Sequence, residues 1–408
     1  MLMSKSLWRG IDAGRARRRA PIWLATALVA LGVAAASCGG SEPADVGEGQ
    51  VGQVAQPVTE DLNCLNGTVA DAMAGIRRAR GILVRPGSAG DGAGDFGWLN
   101  DHALSGCHIQ GIADVGTSGI VVDFNKAASN NTFPANLFGT ACPEYSPTTL
   151  RRAKLLQKPS SEETFSQSIE IPHNAKVYHP SGMAAVGRIL FVAVTGPDNT
   201  PYIFIYDYSR AVPNITPPSL VTSFPVSSIG TVDSLAAGYD PGTNAYHIVL
   251  NQDSLNRLVV LRSVGNLTSF RLSQRLTVDN GRYPGKRKSQ LNYQGMSLIR
   301  QCDGQMYLLG LTINDYPSCA GNFDSCDDSI IDYAPYNPDP ANIFVGAWQT
   351  TGALDNPCNG FLDFDICPNF AAGATAFVST DHKLVAWATE HWPQGRPGNL
   401  DILSWSQP

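Results

Sequence analysis

Short apolar runs separated by turn residues recur along most of the chain. The stretch 179–207, HPSGMAAVGRILFVAVTGPDNTPYIFIYD, contains two of them, at residues 189–194 and 202–206. Both are rich in β-branched and aromatic residues, and Gly, Pro, Asp and Asn bound them, which is typical of antiparallel strands. Such a meander cannot bury both of its faces alone, so we expect it to pack against copies of itself.

A small residue followed by an apolar one opens five such units. These residues are spaced 71, 52, 61 and 78 positions apart and are Gly111, Gly182, Ser234, Gly295 and Gly373. Several short strands fit within each spacing, as the blades of a β-propeller require. We therefore predict an all-β fold, a β-propeller of four-stranded antiparallel blades, with five blades favoured and six as an alternative. A β-sandwich with irregular loops is the competing fold.

The last unit lacks a fourth strand. We predict its strands at residues 374–378, 384–388 and 400–405, close to the end of the sequence. The N-terminal region offers a spare strand after a short predicted helix at residues 69–80. We expect residues 82–85 to pair with the strand ending at Trp405 and to close the ring, because an unpaired sheet edge promotes aggregation.

Two further segments carry a resemblance to a known class of proteins. Residues 240–249, DPGTNAYHIV, resemble the Asp-Pro turn and strand of bacterial surface propeller repeats, and residues 301–307, QCDGQMY, are similar to them. The resemblance is to exported bacterial β-propeller proteins and spans about residues 108–405. Trp-Asp blade ends, kelch double glycines and sialidase Asp boxes are absent from the sequence.

The N-terminus predicts export. Residues 1–37 combine six basic residues with an apolar stretch too short to span a bilayer, and they end in Ala35-Ala36-Ser37-Cys38. This ending resembles a bacterial lipoprotein processing site, although Ala35 stands where that family usually has Leu. The resemblance implies that Cys38 becomes a lipidated N-terminus. Because the next residue is not Asp, it also implies an outer-membrane location. The alternative is ordinary cleavage after Ala36, which gives a soluble secreted protein.

We divide the rest of the chain into a flexible tether, residues 38–60, and a single propeller domain, residues 61–408. Removing residues 1–37 takes away six of 29 basic and one of 35 acidic residues, so the net charge changes from −6 to −11. Such a charge argues against a nucleic-acid partner. We expect a monomer whose partners are the membrane, through the lipid, and a protein or carbohydrate ligand.

Disulfide bonds are expected in an exported chain with nine cysteines, of which eight remain beside Cys38. Two pairs bracket short polar loops and are the preferred local bridges, with a crosswise pairing as the alternative. The eight candidates are Cys319 with Cys326, Cys358 with Cys367, and Cys64, Cys107, Cys142 and Cys302. Their spacing is not that of a zinc site.

The repeat also predicts a ligand site. Counting back from each small residue gives a ring of polar side chains at one mouth of the channel, suited to hydrogen-bonding a hydroxyl-rich ligand. The ring consists of His108, Gln110, His179, Ser181, Asp233, Tyr293 and Gln294. Alternatively, these groups bond only to one another and to channel water.

We therefore predict a non-enzymatic binding module of the cell envelope, with no cofactor and no metal. The alternative function is a glycoside hydrolase of the five-bladed propeller class. Asp233 is its one candidate catalytic residue, because no second carboxylate shares the aligned position. Acidic loops containing Asp324 and Asp327, or Asp355 and Asp363, lack the spacing of a calcium loop.

Overall fold

The structure of the protein is a computed structural model. It describes residues 62–84, 109–115, 120–127, 151–158, 167–170, 179–195, 200–210, 218–227, 229–252, 257–277, 293–313, 329–356, 369–389 and 402–408. All of these residues belong to one compact unit, Gln53–Pro408.

The described part of the chain contains one helix and twenty-one strands. In chain order they are α1 (Val69–Arg78), β1 (Ile82–Val84), β2 (Ile109–Asp114), β3 (Ile120–Ala127), β4 (Arg151–Lys158), β5 (Gln167–Glu170), β6 (His179–Val186), β7 (Ile189–Thr195), β8 (Pro201–Asp207), β9 (Ser219–Pro225), β10 (Ser234–Asp240), β11 (Ala245–Gln252), β12 (Arg257–Val264), β13 (Asn266–Thr277), β14 (Gly295–Arg300), β15 (Met306–Ile313), β16 (Ser329–Asn337), β17 (Phe344–Val345), β18 (Gln349–Ala353), β19 (Asn369–Val378), β20 (Leu384–Thr389) and β21 (Ile402–Ser406).

These strands form five antiparallel sheets. In chain order the sheets are β2-β3-β4-β5, β6-β7-β8-β9, β10-β11-β12-β13, β14-β15-β16-β17 with β18 also beside β16, and β19-β20-β21-β1. The first strand of each sheet lies against the first strands of two other sheets, in the cyclic order β2, β6, β10, β14, β19 and back to β2. Sheets that radiate from a common axis define a β-propeller, so the prediction of an all-β propeller fold is confirmed.

Small residues allow the inner strands to approach one another at the axis. A Cβ atom added to Gly295 would lie 2.1 Å from the carbonyl oxygen of Ala374 in the next sheet. One added to Gly373 would lie 3.0 Å from the carbonyl carbon of Gly111. The distance at Gly295 is shorter than any real Cβ contact, so this position requires glycine if the strands are to keep their spacing, and the distance at Gly373 leaves little room for a side chain.

The sheet faces pack on one another through apolar side chains. All seven residues of β7 and all eight of β11 are buried. Between these neighbouring sheets, the ring of Phe191 lies 5.8 Å from that of Tyr246, and Phe191 also contacts Phe270 edge-on at 6.5 Å. Aromatic pairs at such distances stabilise the interface beyond the area they bury.

Helix α1 packs its apolar face on the fourth and last sheets. Val69, Ala72, Met73 and Ile76 are buried in a cluster with Trp405. The helix starts after Thr68, whose Oγ1 accepts a hydrogen bond from the Asp71 backbone N–H at 3.1 Å, a standard N-cap. The predicted helix at residues 69–80 is therefore present, although it ends at residue 78.

Strand β1 lies antiparallel to β21, with Ile82 opposite Ser404 and Val84 opposite Ile402. Gly81 precedes this strand, and its backbone N–H donates to the carbonyl oxygen of Asp355 at 3.1 Å. The indole Nε1 of Trp405 donates to the same oxygen at 2.8 Å. The Asp355 carbonyl oxygen thus accepts hydrogen bonds from the N-terminal and from the C-terminal part of the domain.

Two strands differ from the sequence-based prediction. Strand β4 was not predicted, because the four basic residues in RRAKLLQK obscure its pattern. The second difference is at the outer edge of β16, where four-stranded blades predict a single fourth strand and the structure has two short strands, β17 and β18, on either side of Gly346. The Gly346 N–H donates to the Pro335 carbonyl at 2.7 Å at this break.

We expect Gly295→Ala to lower the free energy of unfolding by about 2–4 kcal/mol, because the new methyl overlaps the Ala374 carbonyl and forces β14 away from β19. Urea unfolding followed by circular dichroism measures the change. Ser234→Ala is the matched control: it changes the aligned position of β10, which already carries a Cβ. The Ser234 hydroxyl has no hydrogen-bond partner among the described residues, so we expect at most a small effect. Equal effects of the two substitutions would contradict close packing at the axis.

A buried polar pair lies between the third and fourth sheets. His247 on β11 and Tyr336 on β16 are fully buried, and Nδ1 of His247 lies 3.0 Å from the Tyr336 hydroxyl. Nε2 has no hydrogen-bond partner among the described residues. Burial, with a smaller contribution from Arg262, lowers the pKa of His247 from 6.5 to about 4, although Asp240 opposes the shift.

This depressed pKa predicts acid sensitivity. Between pH 6.5 and 4 the unfolded chain binds a proton at His247 that the folded chain does not bind, so the free energy of unfolding falls as the pH falls. The expected loss is on the order of 3 kcal/mol over this window. In the double variant His247→Phe and Tyr336→Phe, both polar groups are removed together, and this part of the pH dependence should disappear. An unchanged slope in urea unfolding between these pH values would contradict the assignment.

Candidate functional site

The inner strands enclose a cavity at the ends where they lead into their first turns. Its volume is about 240 Å³, and its lining comes from all five sheets. Each sheet contributes at least one residue to the lining: Asp114 of β2, Ala185 near the end of β6, Ala237 of β10, Ser297 of β14 and Ala376 of β19. Small side chains at this level leave the space open, and a concave site where several elements converge is the usual place for a ligand.

Two guanidinium groups and one carboxylate lie in the lining. Arg188 follows β6 in its turn to β7, and Arg300 ends β14. Nη1 of Arg188 donates to the carbonyl of Ser209, in the segment after β8, at 3.2 Å. Among the lining residues that the structure describes, Asp114 is the one carboxylate. Guanidinium groups present several donors in a fixed geometry, so this lining suits oxygen-rich ligands.

Neutral polar and aromatic groups complete the cavity wall. The Ser297 hydroxyl oxygen accepts from the Ala376 backbone N–H at 2.9 Å, which joins β14 to β19 across the sheets. The Tyr239 hydroxyl donates to Oδ1 of Asn244 at 2.5 Å. Phe377 also lines the cavity and packs edge-on against Trp387, with ring centroids 4.5 Å apart. The wall therefore combines fixed hydrogen-bonding groups with aromatic faces.

The ring of residues predicted from the sequence lies elsewhere. Ser181 is buried, and its hydroxyl is 2.9 Å from that of Thr195. Tyr293 is also buried, and its ring lies against Gly310, where a Cβ would be 2.4 Å from Tyr293 Cζ. Its hydroxyl donates to Oδ2 of Asp332 at 3.1 Å. Both side chains thus have structural contacts within their sheets.

The other described residues of that ring, Gln110, His179, Asp233 and Gln294, are at or before the starts of inner strands, at the opposite end from the cavity. Asp233 and Gln294 are half-buried, and their backbone N–H groups donate to the carbonyls of Asn251 and Leu311. Gln110 and His179 lie near the starts of β2 and β6. His108 lies outside the described residues. None of Ser181, Asp233, Tyr293 and Gln294 lines the cavity, and a ligand role for the ring stays a prediction.

The sequence also contained a signal for the cavity. It was missed because the residues were counted backward from each aligned small residue and not forward. Counting forward from the aligned small residues reaches polar or charged side chains at the far ends of the inner strands. Asp114, Arg188, Asp240 and Arg300 follow their small residues by three, six, six and five positions. Of these four residues, Asp114, Arg188 and Arg300 line the cavity, so the same alignment pointed to this mouth of the channel.

One disulfide bond joins distant parts of the described chain. Cys64 and Cys302 are bonded, with Cα atoms 4.9 Å apart and 238 residues of sequence separation. Both were among the candidates, although this pairing was not specified. The other six cysteines, Cys107, Cys142, Cys319, Cys326, Cys358 and Cys367, lie outside the described residues, as does Cys38.

Metal binding has one geometric candidate in the described part of the chain. Both sulfur atoms of the disulfide and a ring nitrogen of His382 lie within 4.8 Å of one another. The sulfurs are bonded to each other and are not thiolates, so they cannot act as ligands in this state. Of the aspartates in the two acidic loops, Asp355 is described, and its backbone carbonyl accepts from Gly81 and Trp405. The others lie outside the described residues.

No helix among the described residues is long and apolar enough to cross a membrane.

Comparisons with known proteins give a fold-level likeness only. No family model and no curated protein matches the chain. Among solved structures, it is similar to a protein of unknown function from Dyadobacter fermentans, with 12% identity over 72% of this chain and 75% of that one and a TM-score of 0.38. It is also similar to a fructofuranosidase from Schwanniomyces occidentalis, with 11% identity, 72% and 55% coverage and a TM-score of 0.38.

A third similar structure is an exo-β-1,3-galactanase from Phanerochaete chrysosporium, with 10% identity, 79% and 64% coverage and a TM-score of 0.39. The chain spans about half the length of the fructofuranosidase and just under two thirds of the galactanase. These identities and TM-scores are low. The fold assignment therefore rests on the sheets and on the contacts between their inner strands.

Proposed function

We propose that this protein is a binding module whose propeller domain takes a small, polar, glycan-like ligand in the channel cavity. The observation that carries the proposal is the lining of that cavity. Arg188 and Arg300 supply donors, Asp114 supplies an acceptor, and Tyr239 and Phe377 supply aromatic faces. Such a mixture of fixed polar groups and apolar surface is typical of sites for hydroxyl-rich molecules.

Binding without catalysis is favoured over the glycoside hydrolase alternative. Glycoside hydrolysis usually requires two carboxylates on opposite sides of the scissile bond. The described lining of the cavity contains one, Asp114, and Asp233 belongs to the opposite end of β10. The hydrolase remains the alternative outcome of the experiment that tests the proposal.

We expect a glycan array to show ligands for the wild type, with no release of reducing sugar when these glycans are incubated with the protein. Ala185→Leu places a larger side chain in the cavity and should weaken binding at least tenfold. Asp233→Asn, at the opposite end of the channel, is the matched control and should bind as the wild type does. Circular dichroism of both variants verifies folding.

The opposite results would identify the alternatives. Binding that survives Ala185→Leu and is lost in Asp233→Asn would place the ligand at the ring predicted from the sequence. Sugar release by the wild type that is lost in Asp233→Asn would support the hydrolase. Absence of any binding to the array would contradict the glycan proposal.

We further propose that the five described sheets are the five blades of the propeller and that β1 closes the ring. The support is the pairing of β1 with β21 and the cyclic contacts of the inner strands. Without β1, the outer edge of β21 would expose unpaired backbone groups. Residues from both ends of the domain would then share one sheet.

Gly81→Leu tests this closure. A Cβ at Gly81 would lie 2.9 Å from Trp405 Nε1 and 3.0 Å from the Asp355 carbonyl oxygen, so a larger side chain should displace β1. We expect a loss of about 2–4 kcal/mol in the free energy of unfolding and increased aggregation. Ile82→Thr is the control, because Ile82 is 67% exposed and Thr also favours strands. Wild-type stability and solubility of Gly81→Leu would contradict closure by β1.

We also propose that the protein is exported and lipid-anchored at Cys38 in the bacterial outer membrane, with residues 38–60 as a tether. The support is the basic and apolar leader that ends in Ala-Ala-Ser-Cys. Labelled palmitate should enter the wild type expressed in a Gram-negative host and should not enter Cys38→Ala. Equal labelling of the two, or labelling of neither, would contradict the anchor and favour the soluble secreted form.

A further inference from the structure

The segment of residues 62–66, which we call the strap, crosses the channel at the cavity. Leu62 and Asn63 line the cavity together with the inner strands. Leu62 packs against the apolar cluster of the second and third sheets. On the other side of the axis, Asn63 Nδ2 donates to the carbonyl of Val378 in the fifth sheet at 3.3 Å. The strap thus covers part of the cavity mouth.

The far end of the strap is fixed to two turns. The Leu65 N–H donates to the Arg300 carbonyl at 2.9 Å, and the Cys302 N–H donates to the Leu65 carbonyl at 3.1 Å. The Asn66 N–H donates to the carbonyl of His382 at 3.1 Å. These bonds hold the strap to the turn between β14 and β15 and to the turn between β19 and β20.

The one covalent link of the strap to the sheets, among the described residues, is the disulfide from Cys64 to Cys302. Cys302 lies in the turn after β14 and is exposed, whereas Cys64 is half-buried. An exposed disulfide sulfur is accessible to an attacking thiolate, and access is one of the factors that set the rate of thiol–disulfide exchange. The link is therefore placed where a reductant can reach it from solvent.

We propose that the Cys64–Cys302 disulfide is a thiol-exchange site that controls the strap, so that its reduction opens the cavity mouth. The oxidised bond ties the strap across the channel, and after reduction only non-covalent contacts hold it there, namely the hydrogen bonds and the packing of Leu62 and Leu65. The co-reactant is a small thiol or a dithiol reductant. This inference does not depend on which ligand the cavity binds.

The exchange proceeds in two balanced steps. A thiolate of the reductant attacks Sγ of Cys302 and forms a mixed disulfide, and the electron pair of the broken bond leaves on Sγ of Cys64, which then takes a proton from water. A second thiolate attacks the sulfur of the reductant in the mixed disulfide. Cys302 leaves as a thiolate, and the reductant leaves as its own disulfide. Two thiols are oxidised for each protein disulfide reduced.

His382 lies beside this site. Its Nδ1 is 2.9 Å from the Cys64 carbonyl oxygen. Because a carbonyl only accepts, Nδ1 carries the proton, and Nε2 of the neutral ring keeps its lone pair. A ring nitrogen lies within 4.8 Å of both sulfurs, so the imidazole is next to the bond at which the exchange occurs. His382 has a φ of 62°, a conformation that the turn imposes and that holds the ring in this place.

The test compares the mobility of the strap in the full chain before and after treatment with a small dithiol. Alkylation mass spectrometry verifies that Cys64 and Cys302 are reduced. Hydrogen exchange at the Leu65 and Asn66 amides should accelerate at least tenfold. A neutral paramagnetic probe should broaden the methyl signals of Ala185 and Ala237 in the cavity more strongly after reduction. Ala193, fully buried in β7, is the internal control and should not change.

The variant Cys64→Ser with Cys302→Ser should show the open behaviour without dithiol and should not change further when dithiol is added. That result would show that the effect of dithiol comes from reduction of the Cys64–Cys302 bond and not from reduction of other cysteines. Unchanged exchange at the strap after verified reduction would overturn the proposal. It would also be overturned if Ala193 and the strand amides lost protection together with the strap, because the bond would then stabilise the whole fold and not control the mouth.

Discussion

The close approach of the inner strands at the axis is the constraint on which the rest of the structure depends. A Cβ added to Gly295 would overlap the Ala374 carbonyl of the next sheet, and one added to Gly373 would lie 3.0 Å from the Gly111 carbonyl carbon. One added to Gly182 would lie 3.3 Å from the Leu235 nitrogen. Because these strands meet, the sheets can pack face to face outward from the axis. Phe191 and Tyr246, and the buried pair of His247 and Tyr336, belong to such interfaces.

The same geometry produces the cavity. At their starts the inner strands are in contact, and toward their first turns small residues such as Ala185, Ala237 and Ala376 leave space between them. Charged residues at the turns, Arg188 and Arg300, belong to the lining of this volume. The N-terminal segment adds a cover on this side, held by a bond between residues 238 positions apart. The segment that covers the cavity and the turn to which it is bonded therefore lie far apart in the sequence.

Local patterns in the sequence predicted most of the architecture. The strands of the second and third sheets are continuous apolar runs bounded by turn residues, so their positions agreed with the structure to within a few residues. Strand β4 was missed because its basic residues obscure the pattern. The small residue that opens each unit also indicated the propeller, since it reflects close packing at the axis, which is tightest at Gly295.

Features that depend on long-range contacts could not be predicted in this way. The pairing of Cys64 with Cys302 requires the strap to reach a turn of the fourth sheet, and no local spacing indicates it. His247 lies in the apolar run AYHIVL, where its burial beside Tyr336 depends on a neighbouring sheet. The cavity lies at the end of the inner strands where they are not in contact. The sequence alone does not indicate which of the two ends that is.

The central claim is that the inner strands form a closed ring, with β2 of the first sheet beside β19 of the last. The most direct measurement is a nuclear Overhauser effect between the Hα protons of Gly373 and the backbone amide proton of Gly111, in a deuterated, glycine-labelled sample. The added Cβ of Gly373 would lie 3.1 Å from the Gly111 nitrogen, so a strong direct cross peak is predicted. Its absence, in a sample that shows the corresponding contact between Gly295 and Ala374, would contradict a closed ring.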